Sequence, residues 1–352
     1  MPVPDLLRDL LTAPGPSGYE TAAAAVWREA AGGFAEVTGD AMGSSIARVR
    51  GTEDGPLLAV LGHIDEIGLI VTHADDDGFL YFRGIGGWRA EVLRGQRVEL
   101  LTREGPIAGV VGKRHAKAPK RGEEQKPTEL DELHIDIGAR SREEALGLVR
   151  VGDAAVIAGA PLELPNGRLA SRALDNRLGA YVALEAARIV AGAGGAPGDL
   201  AAVAAVQEEV GDLAGARTTM FALEPAVALA VDVTHATDVP GGDPKEAGEV
   251  RLGGGPVLNR GSSINPRVFE LLAETAEAEA IPFSVDVSTG NTHTDADAAY
   301  VSRAGPATGL VSIPLRYMHT PAELVSLEDV ERAARLVAAF ASRLGAGIDL
   351  TR

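Results

Sequence analysis

Six side chains able to bind divalent cations stand at or near the points where apolar runs stop. "LLAVLGHIDE" breaks at His63, "AAVAAVQEE" at Glu208 and Glu209, "AVALAVDVTH" at Asp232, and "LVSIPLRYMH" at His319. "SRALDNRLG" adds Asp175 ahead of a helix-like stretch, whose positive N-terminal end would steady its charge. In open α/β sheets, ligands gather beyond the C-terminal edges of the strands, so residues distant in sequence can meet there. Two imidazoles and several carboxylates suit hard or borderline ions such as Zn, Co or Mn. Buried carboxylates without partners are costly. Two ions about 3.5–4 Å apart answer both that cost and the number of ligands. Asp65 could orient the other ring nitrogen of His63. Taken singly, each residue has a plainer reading: His63 as a hydrogen-bonded structural histidine, Asp175 or Asp232 as a cap or turn residue, Asp65 as a turn carboxylate. Their coincidence at four strand exits favours metal.

The elements that must position these residues read as α/β. "YETAAAAVWREAAGG" predicts a short helix with a glycine stop, and "FAEVTGDAMGSSIARVR" a hairpin. Downstream, a helix follows Asp175, with strands over 201–206, 226–233, 281–287 and 309–314 and helices over 268–280 and 327–344. Between them, short alternating segments such as "FLYFRGIG", "QRVELLT" and "PIAGVVG" predict a small all-β unit. The expectation is one α/β domain, residues 1–67 and 165–352, with a central mixed sheet flanked by helices. It is interrupted by a β-barrel-like domain over 68–164. The charged stretch Lys113–Glu132 lacks an apolar period and is expected to be a surface loop, with a lid as the alternative.

Composition narrows the function. A chain of 352 residues, 45% hydrophobic, supports a substantial core, and its net charge of -17 argues against nucleic acid and anionic membranes as partners. With no cysteine, thiolate ligands, disulfides and a cysteine nucleophile are excluded. No run approaches the roughly 18 apolar residues of a membrane span, and "MPVPDLLRDLLTAPGPSG" lacks a leader pattern, so a cytoplasmic enzyme is expected.

Motifs in one order along nearly the whole chain carry a closer resemblance: "GHIDEIGLIV", "IDIGARSREEA", "SRALDNRLGA", "VQEEVGDLAGA", "DVTHATDVPG", "GPVLNRGSSINP", "TDADA" and "RYMHTPAEL". Together they resemble the glutamyl and tetrahedral aminopeptidase family of co-catalytic metallopeptidases. That resemblance implies a zinc-peptidase-like (phosphorylase/hydrolase-like) α/β domain with an inserted β domain used in dimer assembly, and a homo-oligomer that in many members is a dodecamer. It implies two divalent ions per subunit, zinc first and cobalt or manganese as alternatives. His63 and Asp232 then look like ligands of one ion, Glu209 and His319 of the other, and Asp175 like the bridge. Glu208 resembles the general base, and Asp65 the carboxylate supporting His63. The implied activity is removal of N-terminal residues from short, unblocked peptides. A deacylase or carboxypeptidase using the same centre, or a metal-stabilised assembly protein without activity, are the alternatives.

In "NTHTDADAAY", His293 stands where relatives carry a glycine-rich lead; it either borders the substrate cleft or is an exposed loop histidine. His235 and Asp238 are read as loop-shaping hydrogen-bonding residues, and Arg260 as a solvated arginine. His73, His115 and His134 fall in the β domain and are not promoted to ligands. "RLGGGPVLNRGSS" is glycine-rich but lacks the strand, glycine-rich loop and lysine arrangement of a phosphate-binding loop, and no serine sits in a nucleophile elbow.

Overall fold

The computed structural model describes residues 2–114 and 127–352. Its centre is an 11-stranded mixed sheet. Four neighbouring strands, Gly198–Ala205, Gly55–His63, Val227–His235 and Ala307–Arg316, run parallel and fix the site. Strands buried on both faces read as continuous apolar runs rather than alternating ones. Leu58–Leu61, Leu200–Val206 and Val227–Val231 are accordingly buried almost throughout. Because the four strands are parallel, their C-terminal ends share one edge. Ala205 stands opposite His63, and Ala230 opposite Leu61, so Asp232 comes level with His63.

The helix Leu174–Gly192 lies directly on this sheet. A β-carbon on Gly62 would sit 2.1 Å from the Gly179 carbonyl carbon, and one on Gly179 would sit 2.3 Å from the Val231 carbonyl oxygen. No larger residue fits at either position, and the close approach brings the start of the helix, with Asp175, over the ends of the His63 and Asp232 strands. Trp27 is buried and locks a second helix, Thr21–Ala31, onto the first by donating Nε1–H to the Ala180 carbonyl (2.9 Å). The closing helix, Leu327–Ser342, packs against Leu174–Gly192 from the other side.

A separate closed barrel is built from six strands. In spatial order they are Gly68–Ala74, Leu80–Ile85, Leu133–Asp136, Gly105–Lys113, Arg97–Thr102 and Ala154–Ile157. It has its own apolar core, including Leu69, Val71, Leu80, Leu100 and Ile135. The short strand Leu162–Leu164 pairs instead with Arg168–Ser171 in the large sheet. Of the charged segment 113–132, Lys113 closes a barrel strand and Leu130–Glu132 form a 3-10 turn. Residues 115–126, His115 among them, lie outside the described residues. No described helix is long and apolar enough to cross a membrane.

Candidate metal centre

All six candidate side chains meet at the shared edge of the four parallel strands. His63 is 2% exposed, with Nε2 3.2 Å from Asp175 Oδ1, 3.8 Å from Glu208 Oε2 and 4.0 Å from Asp232 Oδ1. His319 Nε2 lies 3.3 Å from both Asp175 Oδ2 and Glu209 Oε2. Asp175 therefore offers one oxygen to each imidazole. Two overlapping triads, His63–Asp175–Glu209 and His63–Glu208–Asp232, have ligand atoms within 4.8 Å of one another. Distance alone does not separate Glu208 from the other candidate ligands.

Asp65 does more than support one ring. His63 Nδ1 faces the Asp65 carbonyl oxygen at 3.3 Å and its carboxylate at 3.5 Å. Donation from Nδ1–H leaves the Nε2 lone pair turned toward the cluster. The same fully buried carboxylate accepts the Ser17 hydroxyl (2.5 Å) and the backbone N–H groups of Glu208 and Glu209 (3.1 Å each). One side chain thus fixes the turn that carries both glutamates to the histidine they face. Gln207, just before them, takes a left-handed φ of 58°, as do Ala173, two residues before Asp175, and His319 itself.

The charges are mutually perturbing. Burial pushes the Glu208 carboxyl up to about 10, aided by Asp232, Asp295 and Glu209 and opposed by His63. Asp232 is driven well above the usual carboxylate range by burial and the charge of Asp175, with His63 opposing, and Glu209 is raised for similar reasons. Asp175 moves the other way: hydrogen bonds to both imidazoles overcome burial. Hydrogen bonds to Asp175 and Glu209 raise His319 to about 11 against burial, and for His63 the charge of Glu208 with Asp175 and Asp65 outweighs burial. Glu209 Oε1 is buried with no hydrogen-bond partner among the described residues. Crowded carboxylates raised by one another, one of them with an orphaned oxygen, around two imidazoles aimed inward, are a donor set that fits a pair of divalent cations.

Two groups at the site escaped the sequence reading. Glu323 is 2% exposed and accepts the backbone N–H of Asp175 at Oε2 and of His319 at Oε1, both at 3.0 Å. It ties together the two chain segments that share the second imidazole. Burial and the nearby charge of Asp175 raise it, while the two N–H donors pull it down. Glu323→Gln turns one acceptor into an amide donor facing a backbone N–H. It is expected to weaken metal binding by about 10–100-fold, as changes behind a ligand commonly do. Calorimetric zinc titration checks this, and unchanged affinity would count against the role. The second group is Glu66, buried between Arg172 and Arg177, which anchors the start of the Asp175 helix to the chain after His63. Arg177 also donates to the Leu10 and Ala13 carbonyls, so the N-terminal helix Asp5–Thr12 is held by the same residue.

Asp238 does shape its loop, accepting from Arg316 (2.7 Å) and from the Leu252 N–H (3.2 Å). His235 does not: its side chain is exposed and turned to the cavity beside the centre, as is that of His293. His73 contacts Arg142, and His134 stacks edge-on against Phe79, both away from the centre. Arg260 is largely exposed over the Phe269 ring.

A parallel-sheet edge that gathers two imidazoles and a shared carboxylate defines a dinuclear metallohydrolase. The M42 glutamyl aminopeptidase family profile matches residues 43–336. The lysyl aminopeptidase of Pyrococcus furiosus is 36% identical, with 97% of each chain covered. A TET aminopeptidase from a marine sediment archaeon of the Thaumarchaeota superposes with a TM-score of 0.91 at 36% identity, over 97% of this chain and 96% of that one. The TET1 peptidase of Pyrococcus horikoshii, which can assemble into a tetrahedron or a large octahedral shell, gives 0.85 at 30% identity, over 97% and 99%. The chain belongs to the M42 aminopeptidase family, and it is a metal-dependent aminopeptidase with a dinuclear centre.

Proposed function

We propose that this enzyme removes single N-terminal residues from short, unblocked peptides, with Glu208 moving the proton. The observation that carries the reading is Asp175, whose two oxygens lie 3.2 Å and 3.3 Å from the inward nitrogens of His63 and His319. His63 and Asp232 would hold one ion, Glu209 and His319 the other, and Asp175 would join them. Zinc is the first choice for such nitrogen and oxygen ligands, with cobalt or manganese accepted by the same set. When bound, the ions supply a lowered water pKa and polarise the scissile carbonyl.

The chain's own residues do the rest. Glu208, facing His63 across 3.8 Å, takes the proton of the attacking water and returns it to the departing amine. Asp65 keeps Glu208 and Glu209 on their turn and His63 in the tautomer that turns Nε2 inward. Glu323 holds the backbone of Asp175 and His319 in place. The substrate's free ammonium group is drawn to the excess of carboxylates, which limits cleavage to the first residue.

The reading extends to assembly: the barrel within residues 68–164 pairs subunits into dimers, and the dimers build a closed homo-oligomer, a dodecamer. The assembly of the Pyrococcus horikoshii relative supports it. A cytoplasmic location belongs to the same proposal, and fractionation tests it. The reaction itself is tested with paired peptides that differ only in N-acetylation. Stepwise release of the first residue from the free-amine member alone is expected; equal cleavage of both, or release from the C-terminus, would overturn it.

A further inference from the structure

We infer that Glu20 is a positioning residue for the reaction: its carboxylate, with that of Asp65, clamps the turn 207–209 and so sets the place of Glu208. The inference rests on the reading of Glu208 as the group that moves the proton. Three successive backbone N–H groups of this turn end on buried carboxylates. Gln207 donates to Glu20 Oε1 (3.2 Å), Glu208 to Asp65 Oδ1 and Glu209 to Asp65 Oδ2 (3.1 Å each). The first of them, Gln207, is left-handed, with a φ of 58°. Consecutive N–H groups in such a turn form a concavity that binds anions, and here the anions are two side chains of the same protein. Asp65 holds two of the three groups; the one at the left-handed residue depends on Glu20.

A plainer role for Glu20 does not fit its hydrogen bonds. It stands at the N-cap of the helix Thr21–Ala31, where a side-chain oxygen commonly accepts the first free N–H groups, yet it makes no such bond. Its carboxylate instead turns back to the Gly18 N–H (2.6 Å) and across to Gln207, 187 residues away in sequence. At 6% exposure, and absent from the lining of the cavity beside the centre, it does not touch substrate. Burial pushes its carboxyl up to about 7, against the N–H groups of Gly18 and Gln207 and with the charge of Asp65. A second buried carboxylate beside Asp65 costs folding energy. What the two hold in common is the turn that carries Glu208.

The clamp is itself braced. Glu20 ends a strap, residues 16–20, in which Pro16 forms a bridge with Glu66 and the Ser17 N–H donates to the Glu66 carbonyl (3.2 Å). The Ser17 hydroxyl donates to Asp65, and the Tyr19 hydroxyl to the Gly152 carbonyl (2.8 Å), just before the barrel strand Ala154–Ile157. The strap therefore reaches the turn twice, directly through Glu20 and through Ser17 and Asp65. Glu208 is tied to the site by its backbone, so the turn decides where its carboxylate stands. A reacting group must be held within about 0.5 Å of its productive place, and a shift of about 1 Å can cost 10²-fold in rate.

The test compares metal-loaded, full-length wild type with Glu20→Ala, Glu20→Gln, Glu208→Gln and the double variant Glu20→Ala with Glu208→Gln. Each is assayed on a free-amine peptide, with bound metal and thermal unfolding read on the same sample. Glu20→Ala removes the acceptor and is expected to lower kcat by about 10–100-fold, with KM and metal content kept. Glu20→Gln keeps an oxygen able to accept the Gln207 N–H and is expected to return kcat to within about threefold of wild type. Because Glu20 acts through Glu208, Glu20→Ala is expected to cost less than about twofold once Glu208→Gln is in place. Three results would each overturn the inference while leaving Glu208 as the proton carrier. They are a kcat for Glu20→Ala that stays near wild type or falls only in step with lost metal or fold, a Glu20→Gln enzyme as slow as Glu20→Ala, and the same loss repeated in full in the double variant. A Glu208→Gln enzyme as active as wild type would overturn both readings.

Discussion

Glu208→Gln is expected to lower kcat by about 10³-fold, within the roughly 10²–10⁴ that a positioned acid–base group contributes. The variant should keep its fold and its metal. Gln has the same shape, and Glu208 is tied to the site through its backbone N–H on Asp65 rather than through its carboxylate. What it loses is the proton-carrying group, which stands 3.8 Å from His63 and is held far from its ordinary pKa by burial and three neighbouring carboxylates. Single-turnover kinetics with metal analysis and circular dichroism on the same sample separate the possibilities. A kcat near wild type would remove Glu208 from the reaction. Loss of an ion in step with activity would make it a ligand, as its place in the His63–Glu208–Asp232 triad allows.

Asp175→Asn carries the second large effect, on metal rather than on proton transfer. The aspartate gives one oxygen to the His63 side and the other to the His319 side. Asn keeps the volume, and its backbone N–H can still reach Glu323, but it has one acceptor and no charge. Zinc titration should show two tight ions per chain in the wild type and one in the variant, the lost site weakened by about 10²-fold or more. Two unaltered sites would mean that Asp175 does not join them.

Much of the site was legible because of how parallel strands are buried. A strand covered on both faces has no alternation, so a polar residue ending its apolar run stands out, as His63, Glu208, Glu209, Asp232 and His319 do. Asp175 was visible through its place ahead of a helix. The division of work between Glu208 and Glu209 came from the family resemblance; adjacent carboxylates look alike in sequence. Glu323 was hidden for another reason. Its partners are backbone N–H groups, which no side-chain pattern reveals, and it follows a Thr-Pro-Ala stretch that reads as an ordinary turn. The Glu66–Arg172–Arg177 group joins segments more than 100 residues apart, and nothing local marks those charges as buried.

The fold shows the same contrast. The long helices and the central strands were read within a few residues of their ends. The strand Val257–Gly261 has no counterpart among the strands expected from the sequence, because in its glycine-rich surroundings only Val257 and Leu258 are apolar. The helix Arg142–Leu148 lay inside a stretch read as wholly β, although Ser141 caps it by accepting the Glu144 N–H. Alternation announced the barrel's strands, but their spatial order depends on pairings between distant segments that alternation does not encode.

The account's central claim is that a pair of ions held by His63, Asp175, Glu209, Asp232 and His319, with Glu208 moving the proton, makes an aminopeptidase. The most direct measurement titrates zinc into the chelated, metal-free enzyme while following release of the first residue from a free-amine peptide and its N-acetylated twin. Turnover of the free-amine peptide should rise from background to a plateau at two ions per chain, with the acetylated twin untouched throughout. Full turnover by the metal-free protein, or equal cleavage of the two peptides, would contradict it.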